Sequence, residues 1–384
     1  MTRKVCVVIT ARPSYARIKT VLLAISENPK LELQVVVAAS ALIERYGSVV
    51  EVIKNDGFRV NSIVHMLVEG ENLVTSAKST GLGIIELATV FSQLQPDVII
   101  SVADRYETIA TAIASAYMNI PLAHIQGGEV TGSIDEKVRH AVTKLADIHF
   151  VSNEKARDRV FKMGERADRI FVTGCPSVDL AKQTLIENSS VDNLLNKYNG
   201  VGHKFDLDRD FIVVMQHPVT TQYLSGAEQI RETLEAIKLI NMPTLLFWPN
   251  VDAGSDGISK CIRHFRESEN VRFIYFLKNL SPEDFLRVLR QCRVLVGNSS
   301  VGIRESGFLG VPVVNIGDRQ RGRDRSANVF DVGYRSSEIV TAIRAQISKG
   351  YYEQDTLYGD GAAGVRIAQI LEDVTLDVNK MITY

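Results

Sequence analysis

The chain is 384 residues long and carries a net charge of −1, with 45% hydrophobic and 23% charged residues. That balance excludes a disordered chain, and its near-neutral charge excludes a general attraction to nucleic acid or anionic lipid. Its apolar runs are strand-sized, far short of the roughly 20 residues that cross a bilayer, and at roughly 100–200 residues per domain the length predicts two domains.

The N-terminal MTRKVCVVIT combines basic residues with an apolar run but continues into ARPSYARIK without a small-residue cleavage site. It reads as a first buried strand, not a signal peptide. Short β-rich runs then alternate with amphipathic, helix-length stretches: KVCVVIT, LQVVVAA, DVIISV, PLAHI, IHFVS and RIFVTG. Such alternation predicts a parallel sheet with crossover helices. The rhythm breaks into polar sequence over residues 184–210, then restarts with FIVVMQHP, MPTLLFWPN, VRFIYF, RVLVGNSS and VPVVNIG. The expected fold class is α/β, with two doubly wound Rossmann-like domains at residues 1–185 and 186–365. The segment GVRIAQILEDVTLDVNKMI has helical apolar spacing, so residues 366–384 are expected to be a terminal helix packing back on the first domain. Cys6, Cys175, Cys261 and Cys292 are isolated, with no CxxC spacing; they read as reduced core residues of a cytoplasmic protein, not as metal ligands.

Ligands of open α/β domains bind outside the carboxyl ends of the strands, and two such domains facing each other would enclose a cleft. Polar residues just after strands are therefore the candidates. Arg12 follows the first strand at the start of a helix and Arg17 lies five residues on, where N–H groups and guanidinium groups suit an anion; a solvated helix face is the alternative. No GxGxxG accompanies them, which argues against a nicotinamide dinucleotide. Asp104 and Arg105 follow DVIISV, where Asp104 could equally be a helix N-cap. In HIQGGEVTGSIDEKVRH, the pair Gly127–Gly128 permits a tight turn and Asp135 and Glu136 open the next helix, where acidic residues also complement the helix dipole. The convergence of Asp104, His124, Gln126 and Asp135 on one sheet edge favours a site. In the second domain His217 directly follows a strand. GNSSVGIRE places Ser299 and Ser300 before a helix expected to open at Val301, a phosphate cradle, with Glu305 suited to accept two ribose hydroxyls. Arg319, after the next strand, could complete the charge.

Taken in order, ARPSYARIK, DR, GGEVTGSIDEKVRHAVTKLA, QHPVTT, WPNVDAGS, VGNSSVGIRE and GDRQRGR resemble the hydrolysing UDP-N-acetylglucosamine 2-epimerases of sialic and legionaminic acid synthesis, collinearly over essentially the whole chain. The resemblance implies a glycosyltransferase-B-like architecture with the nucleotide sugar in a deep interdomain cleft. It also implies a reaction through a 2-acetamidoglycal to a free manno-configured sugar plus UDP. By resemblance, Asp104 and Asp135 match the acid/base carboxylates, and His217, Arg12 and Arg17 match groups near the diphosphate. Ser299 and Ser300 match the phosphate-binding serines, Glu305 the ribose carboxylate, and Arg319 a further nucleotide contact. Arg105 is expected to orient the sugar, with His124, Asn250 and Asp252 among the substrate-binding residues. The reaction needs no metal or other cofactor, and a homodimer formed through the N-terminal domain is implied. Two positions depart from the pattern: Gln126 stands where family members carry Glu in HIEGGE, and Ala41 where they carry His. Both fall in or near the sugar site, so a different sugar is expected, such as a UDP-linked 2,4-diacetamido-2,4,6-trideoxyglucose. A non-hydrolysing epimerase, a glycosyltransferase and a nucleotide-sugar binding protein without catalysis remain the alternatives.

Overall fold

The computed structural model describes residues 2–43, 49–70, 72–102, 105, 107–131, 135–187, 190–249, 254–269 and 271–383. Contacts divide the chain into two compact units. Unit 1 comprises Met1–Glu129, Ile134–Asp179 and Tyr358–Tyr384; unit 2 comprises Val130–Ser133 and Leu180–Leu357.

In unit 1 the apolar runs become β1 (Arg3–Ile9), β2 (Leu31–Ala38), β3 (Val60–Val64), β4 (Val98–Val102), β5 (Leu122–Ile125), β6 (Ile148–Val151) and β7 (Ile170–Val172). They are separated by α1 (Arg12–Glu27), α2 (Val49–Asn55), α3 (Leu73–Leu94), α4 (Thr108–Tyr117), α5 (Asp135–Leu145) and α6 (Glu154–Lys162), and α7 (Pro176–Glu187) follows. Every pairing is parallel, in the order β3-β2-β1-β4-β5-β6-β7. Parallel strands covered on both faces need continuous apolar sequence, and β4 is buried at every position. Two apolar clusters cover the faces: Val5, Val7, Ile18, Leu22 and Ile100 belong to one, and Cys6, Val36, Leu87 and Phe91 to the other. Full burial of each such side chain stabilises the fold by about 1.5–3 kcal/mol.

Unit 2 repeats the plan with β8 (Gly200–Gly202), β9 (Ile212–Met215), β10 (Thr244–Phe247), β11 (Ile274–Leu277), β12 (Val294–Gly297), β13 (Val313–Ile316) and β14 (Val329–Val332). Its helices are α8 (Gly226–Ile240), α9 (Ser255–Ser268), α10 (Pro282–Gln291), α11 (Glu305–Leu309) and α12 (Ser336–Lys349). The order is β14-β13-β12-β9-β10-β11-β8, parallel except for the antiparallel edge β8. The last helix, α13 (Ala363–Asp373), belongs to unit 1, where Ile367, Ala368 and Leu371 join the core that contains the α1 residues. It is shorter than the apolar spacing through Ile382 suggests. From Val374 to residue 383 the chain has no regular secondary structure, and Asp377 accepts from the backbone and side chain of Asn379, a local turn that competes with helix.

These strand orders fix where a ligand can go. In unit 1 the chain winds outward from β1 in one direction and from β4 in the other, so the crevice outside the carboxyl ends opens between β1 and β4. In unit 2 the reversal falls between β9 and β12. Arg12 and Arg105 follow the first pair of strands; His217 and Ser299 follow the second.

Candidate active site

At the switch point of unit 1, α1 starts with Arg12, and Pro13 supplies the fixed φ of a first turn. Its N-cap, Ala11, offers no side-chain bond, and no acidic residue lies in the first turn. The N-terminal N–H groups therefore lack the capping oxygen a helix ordinarily recruits, an arrangement suited to an anion. Two hydroxyls beside it, Thr10 Oγ1 and Ser14 Oγ, are buried with no hydrogen-bond partner among the described residues. Arg12 and Arg17 are half-buried on this helix. Ala41 is fully buried, and its N–H donates to the Thr10 carbonyl. Arg105 Nε donates to Glu107 Oε1 at 2.9 Å, and Glu107 is almost wholly buried. Asp104 lies outside the described residues.

On the next strand, His124 Nδ1 sits 3.2 Å from Thr143 Oγ1, and that hydroxyl donates to the Arg139 carbonyl at 2.9 Å. With its proton committed, Thr143 can only accept, so the pairing puts the imidazole proton on Nδ1. Gln126 is 2% exposed with φ 70°, a left-handed conformation costly for a residue with a Cβ. Its backbone N–H donates to Phe150 O at 2.9 Å. Its Nε2 donates to Cys175 Sγ at 2.9 Å, and that sulfur lies 3.0 Å from Ser177 Oγ. Gly128, with φ 74°, is irreplaceable in this backbone, since a Cβ there would meet the Ala156 carbonyl oxygen at 2.3 Å.

Asp135 is the first residue of α5 and half-buried, so it stands at the helix end where a negative charge is most favoured. One turn on, Arg139 is 1% exposed and donates to Glu136 Oε2 at 3.0 Å and to the Glu129 carbonyl at 2.8 Å, tying the helix to the preceding loop. The far end of α5 is held by Lys380, which donates to the Thr143 and Ala146 carbonyls and pairs with Glu165 Oε2 at 2.6 Å. Burial acts to raise the pKa of Glu165, but hydrogen bonds from His149, Lys144 and Lys380 outweigh it and hold the carboxyl at about 2. Burial pushes the His149 pKa down despite that carboxylate.

At the switch point of unit 2, β9 and β12 end in register at Met215 and Gly297. Gly297 has φ 136°, and a Cβ there would lie 2.1 Å from the Met215 carbonyl oxygen. Beyond the strands the Asn298 side chain continues the ladder: its Oδ1 accepts from His217 N–H at 2.7 Å and its Nδ2 donates to His217 O at 2.9 Å. The Asn298 carbonyl in turn accepts from Arg319 Nη1 at 3.1 Å and Gln320 Nε2 at 2.9 Å. Ser299 caps a short 3-10 turn over Ser300–Gly302, and Ser300 Oγ accepts from the buried Arg304 at 2.9 Å. The helix expected at Val301 is thus only this turn; Ile303 and Arg304 follow with right-handed backbone angles, and α11 begins at Glu305. Hydroxyls rather than a long helix dipole would meet a phosphate here. Glu305 is 8% exposed, and its Oε2 is buried with no hydrogen-bond partner among the described residues. Arg304 Nε lies 3.9 Å from that oxygen, an ion pair beyond hydrogen-bond reach, so a ligand hydroxyl could still supply the donor it lacks. Asn250 and Asp252 lie outside the described residues.

Comparison with known proteins follows the same lines. A family model described as UDP-N-acetylglucosamine 2-epimerase matches residues 23–372. The chain belongs to the UDP-N-acetylglucosamine 2-epimerase family. It is 33% identical over 376 residues to the UDP-N,N'-diacetylbacillosamine 2-epimerase (hydrolyzing) of Legionella pneumophila, covering 98% of this chain and 97% of that one. A Campylobacter jejuni relative, named GDP/UDP-N,N'-diacetylbacillosamine 2-epimerase (hydrolyzing), is 30% identical over 332 residues, covering 86% and 84%. Among solved structures, the UDP-GlcNAc 2-epimerase of Neisseria meningitidis bound to UDP-GlcNAc superposes with a TM-score of 0.79 at 18% identity, covering 96% of this chain and 99% of that one. The fold is that of these epimerases. No helix among the described residues is long and apolar enough to cross a membrane, and no group of three or more His, Cys, Asp or Glu among them could hold a metal ion.

For this epimerase-family chain, several residues escaped the sequence reading. Arg139 had a signal: with Val142 and Thr143 it forms the buried face of α5, where an arginine is out of place unless paired. Thr10 and Ser14 gave none, because a hydroxyl after a strand is ordinary until its lack of partners is seen. Asn298 and Arg304 lay inside the GNSSVGIRE stretch, but their roles rest on contacts with His217 and Ser300 that spacing does not reveal.

Proposed function

We propose that the chain is a hydrolysing 2-epimerase, acting on a UDP-linked 2-acetamido sugar, with UDP-N,N'-diacetylbacillosamine, a 2,4-diacetamido-2,4,6-trideoxyglucose, as the preferred form. The observation that carries the nucleotide half is Glu305: a buried carboxylate whose Oε2 accepts no hydrogen bond among the described residues and has Arg304 Nε only at ion-pair distance, 3.9 Å, following Ser299 and Ser300 after β12, suits a ribose diol beside a diphosphate. Support for the hydrolytic half comes from the relatives at 33% and 30% identity, whose names specify hydrolysis and the diacetamido sugar.

In this reading one of Asp104 and Asp135 takes the proton from C2 of the sugar while the C1–O bond breaks, and its electron pair leaves with UDP. The C1–C2 double bond of a 2-acetamidoglycal results. Arg12, Arg17 and His217 offset the charge that develops on the departing diphosphate. The other carboxyl, held protonated, returns a proton to C2 from the opposite face while water adds its hydroxyl at C1; the water's remaining proton recharges that carboxyl and the proton taken from C2 passes to solvent, giving the free manno-configured sugar. Arg105, His124, Asn250 and Asp252 bind the substrate, and Arg319 contacts the nucleotide. Gln126, at the departure from the family pattern, cannot act as a carboxylate base, and its amide donates to Cys175 within the fold. The product would enter nonulosonate synthesis of the sialic or legionaminic type.

We also propose a cytoplasmic homodimer. All four cysteines are free thiols, which suits a reducing compartment. On α3, Val74, Leu82 and Ile85 are 63%, 41% and 65% exposed and lie on one side of the helix, an apolar face suited to a second copy. Light scattering should give a dimer mass that Ile85→Glu lowers toward the monomer. The function is tested by incubating the protein with UDP-N-acetylglucosamine and with UDP-N,N'-diacetylbacillosamine without any acceptor. UDP and a free sugar should form, faster from the diacetamido substrate; UDP formed only when an acceptor is added would mark a glycosyltransferase instead.

A further inference from the structure

We infer that Asn298 is a positioning residue that holds the His217 imidazole in register with Ser299 and Ser300. The inference rests on the proposed reading of His217 as a group acting at the diphosphate. Asn298 is completely buried, and it pairs with both backbone polar groups of His217, accepting from the N–H at 2.7 Å and donating to the carbonyl at 2.9 Å. A primary amide is the side chain that can mimic a peptide unit in this way. Aspartate keeps the acceptor but sets a second oxygen against the His217 carbonyl; alanine loses both bonds; glutamine is one methylene too long.

The location gives the pair its consequence. Parallel pairing of β9 with β12 ends at Met215 and Gly297, and one backbone bond continues it, from Asn298 N–H to Met215 O at 3.1 Å. His217 lies beyond the last residue that the sheet itself holds. Pro218 follows it and has no N–H to donate, so the next peptide cannot take over the task. The Asn298 carbonyl accepts from Arg319 and Gln320, so the exits of β9, β12 and β13 meet at Asn298. Its backbone leads directly into Ser299 and Ser300. Movement of the side chain would displace His217 against those serines while leaving the sheet paired.

The test is a double-mutant cycle. Asn298→Ala and Asn298→Asp are made alone and together with His217→Ala, and UDP release from UDP-N,N'-diacetylbacillosamine and UDP affinity by calorimetry are measured. Each single Asn298 substitution should lower kcat by about 100-fold, as an ångström-scale misplacement does, with the Kd for UDP changed by less than about threefold. In the His217→Ala background the same substitutions should cost less than about twofold, because a positioning residue has nothing left to position. Equal losses in both backgrounds, or an unchanged kcat, would overturn the inference. Asn298→Asp, which keeps one of the two bonds, serves if the alanine variant does not fold. Nitrogen-15 histidine NMR separates this inference from the parent reading: if the wild-type protein releases no UDP, that reading fails, yet the His217 signals, assigned with His217→Ala, must still split or broaden in the Asn298 variants. An unchanged His217 signal contradicts the positioning role whatever the activity.

Discussion

The two switch points share a topology but are finished differently. In unit 2 the loops after β9, β12 and β13 are joined through Asn298, and Ser300 is already engaged by Arg304. In unit 1 the start of α1, with no side-chain cap, sits beside two buried hydroxyls that have no hydrogen-bond partner among the described residues, and Gln126 holds a left-handed backbone. On the proposed reading unit 2 meets a nucleotide, which presents the same groups in every turnover, so most of its pocket can be fixed by internal bonds, with Glu305 Oε2 left for the ribose. A centre that moves protons keeps polar groups uncommitted until substrate arrives, at some cost in stability.

That contrast can be broken by substitution. Asp135→Asn should lower kcat about 10²- to 10⁴-fold while leaving UDP affinity within a factor of about two, measured by UDP release and calorimetry. Gly297→Ala attacks the rigid side. With φ 136° and only 2.1 Å to the Met215 oxygen, it should destabilise unit 2 by on the order of 3 kcal/mol or more in a urea melt. Gly127→Ala, whose Cβ would meet the His124 and Thr143 side chains at 3.1 Å, should cost about 1 kcal/mol, because those atoms can shift.

Acid should separate the units as well. The Glu165 pKa in the folded chain, about 2, lies below its ordinary value of about 4.3, so its contribution is complete above that ordinary value and is lost as the pH falls toward 2. About 2 kcal/mol should leave unit 1 across that window, less whatever the burial of Lys380 and His149 already costs. Glu165→Gln should flatten the pH dependence of the melt below pH 4; a variant that keeps the full acid slope would place the sensitivity elsewhere. Smaller effects are expected at the nucleotide and at the hydroxyls. Glu305→Gln should raise KM about tenfold with kcat nearly unchanged, the reverse of Asp135→Asn. Ser14→Ala should leave the melting temperature unchanged or slightly higher, because it removes an unsatisfied buried hydroxyl, yet lower kcat/KM severalfold.

The sequence made the central strands legible because parallel strands buried on both faces must be apolar throughout: DVIISV, IHFVS and FIVVMQHP each contain one. Of the four edge strands of the two sheets, β7 was legible in RIFVTG and the other three were not. β3 is only partly buried, β14 is half exposed, and β8 is three residues with two glycines, so none carries a continuous apolar run. The candidate residues after strands could be named because chain order alone puts them at carboxyl ends. What could not be read was which of them are tied down, since the bonds of Asn298 to His217 and of Gln126 to Cys175 join residues 81 and 49 positions apart.

The proposed chemistry turns on one bond, that between C2 of the sugar and its hydrogen. Turnover of UDP-N,N'-diacetylbacillosamine in deuterium oxide, followed by mass spectrometry and proton NMR of the released sugar, should give UDP and a free manno-configured product with one deuterium at C2. A product fully protiated at C2, or one still attached to UDP, would contradict the elimination and hydrolysis proposed here.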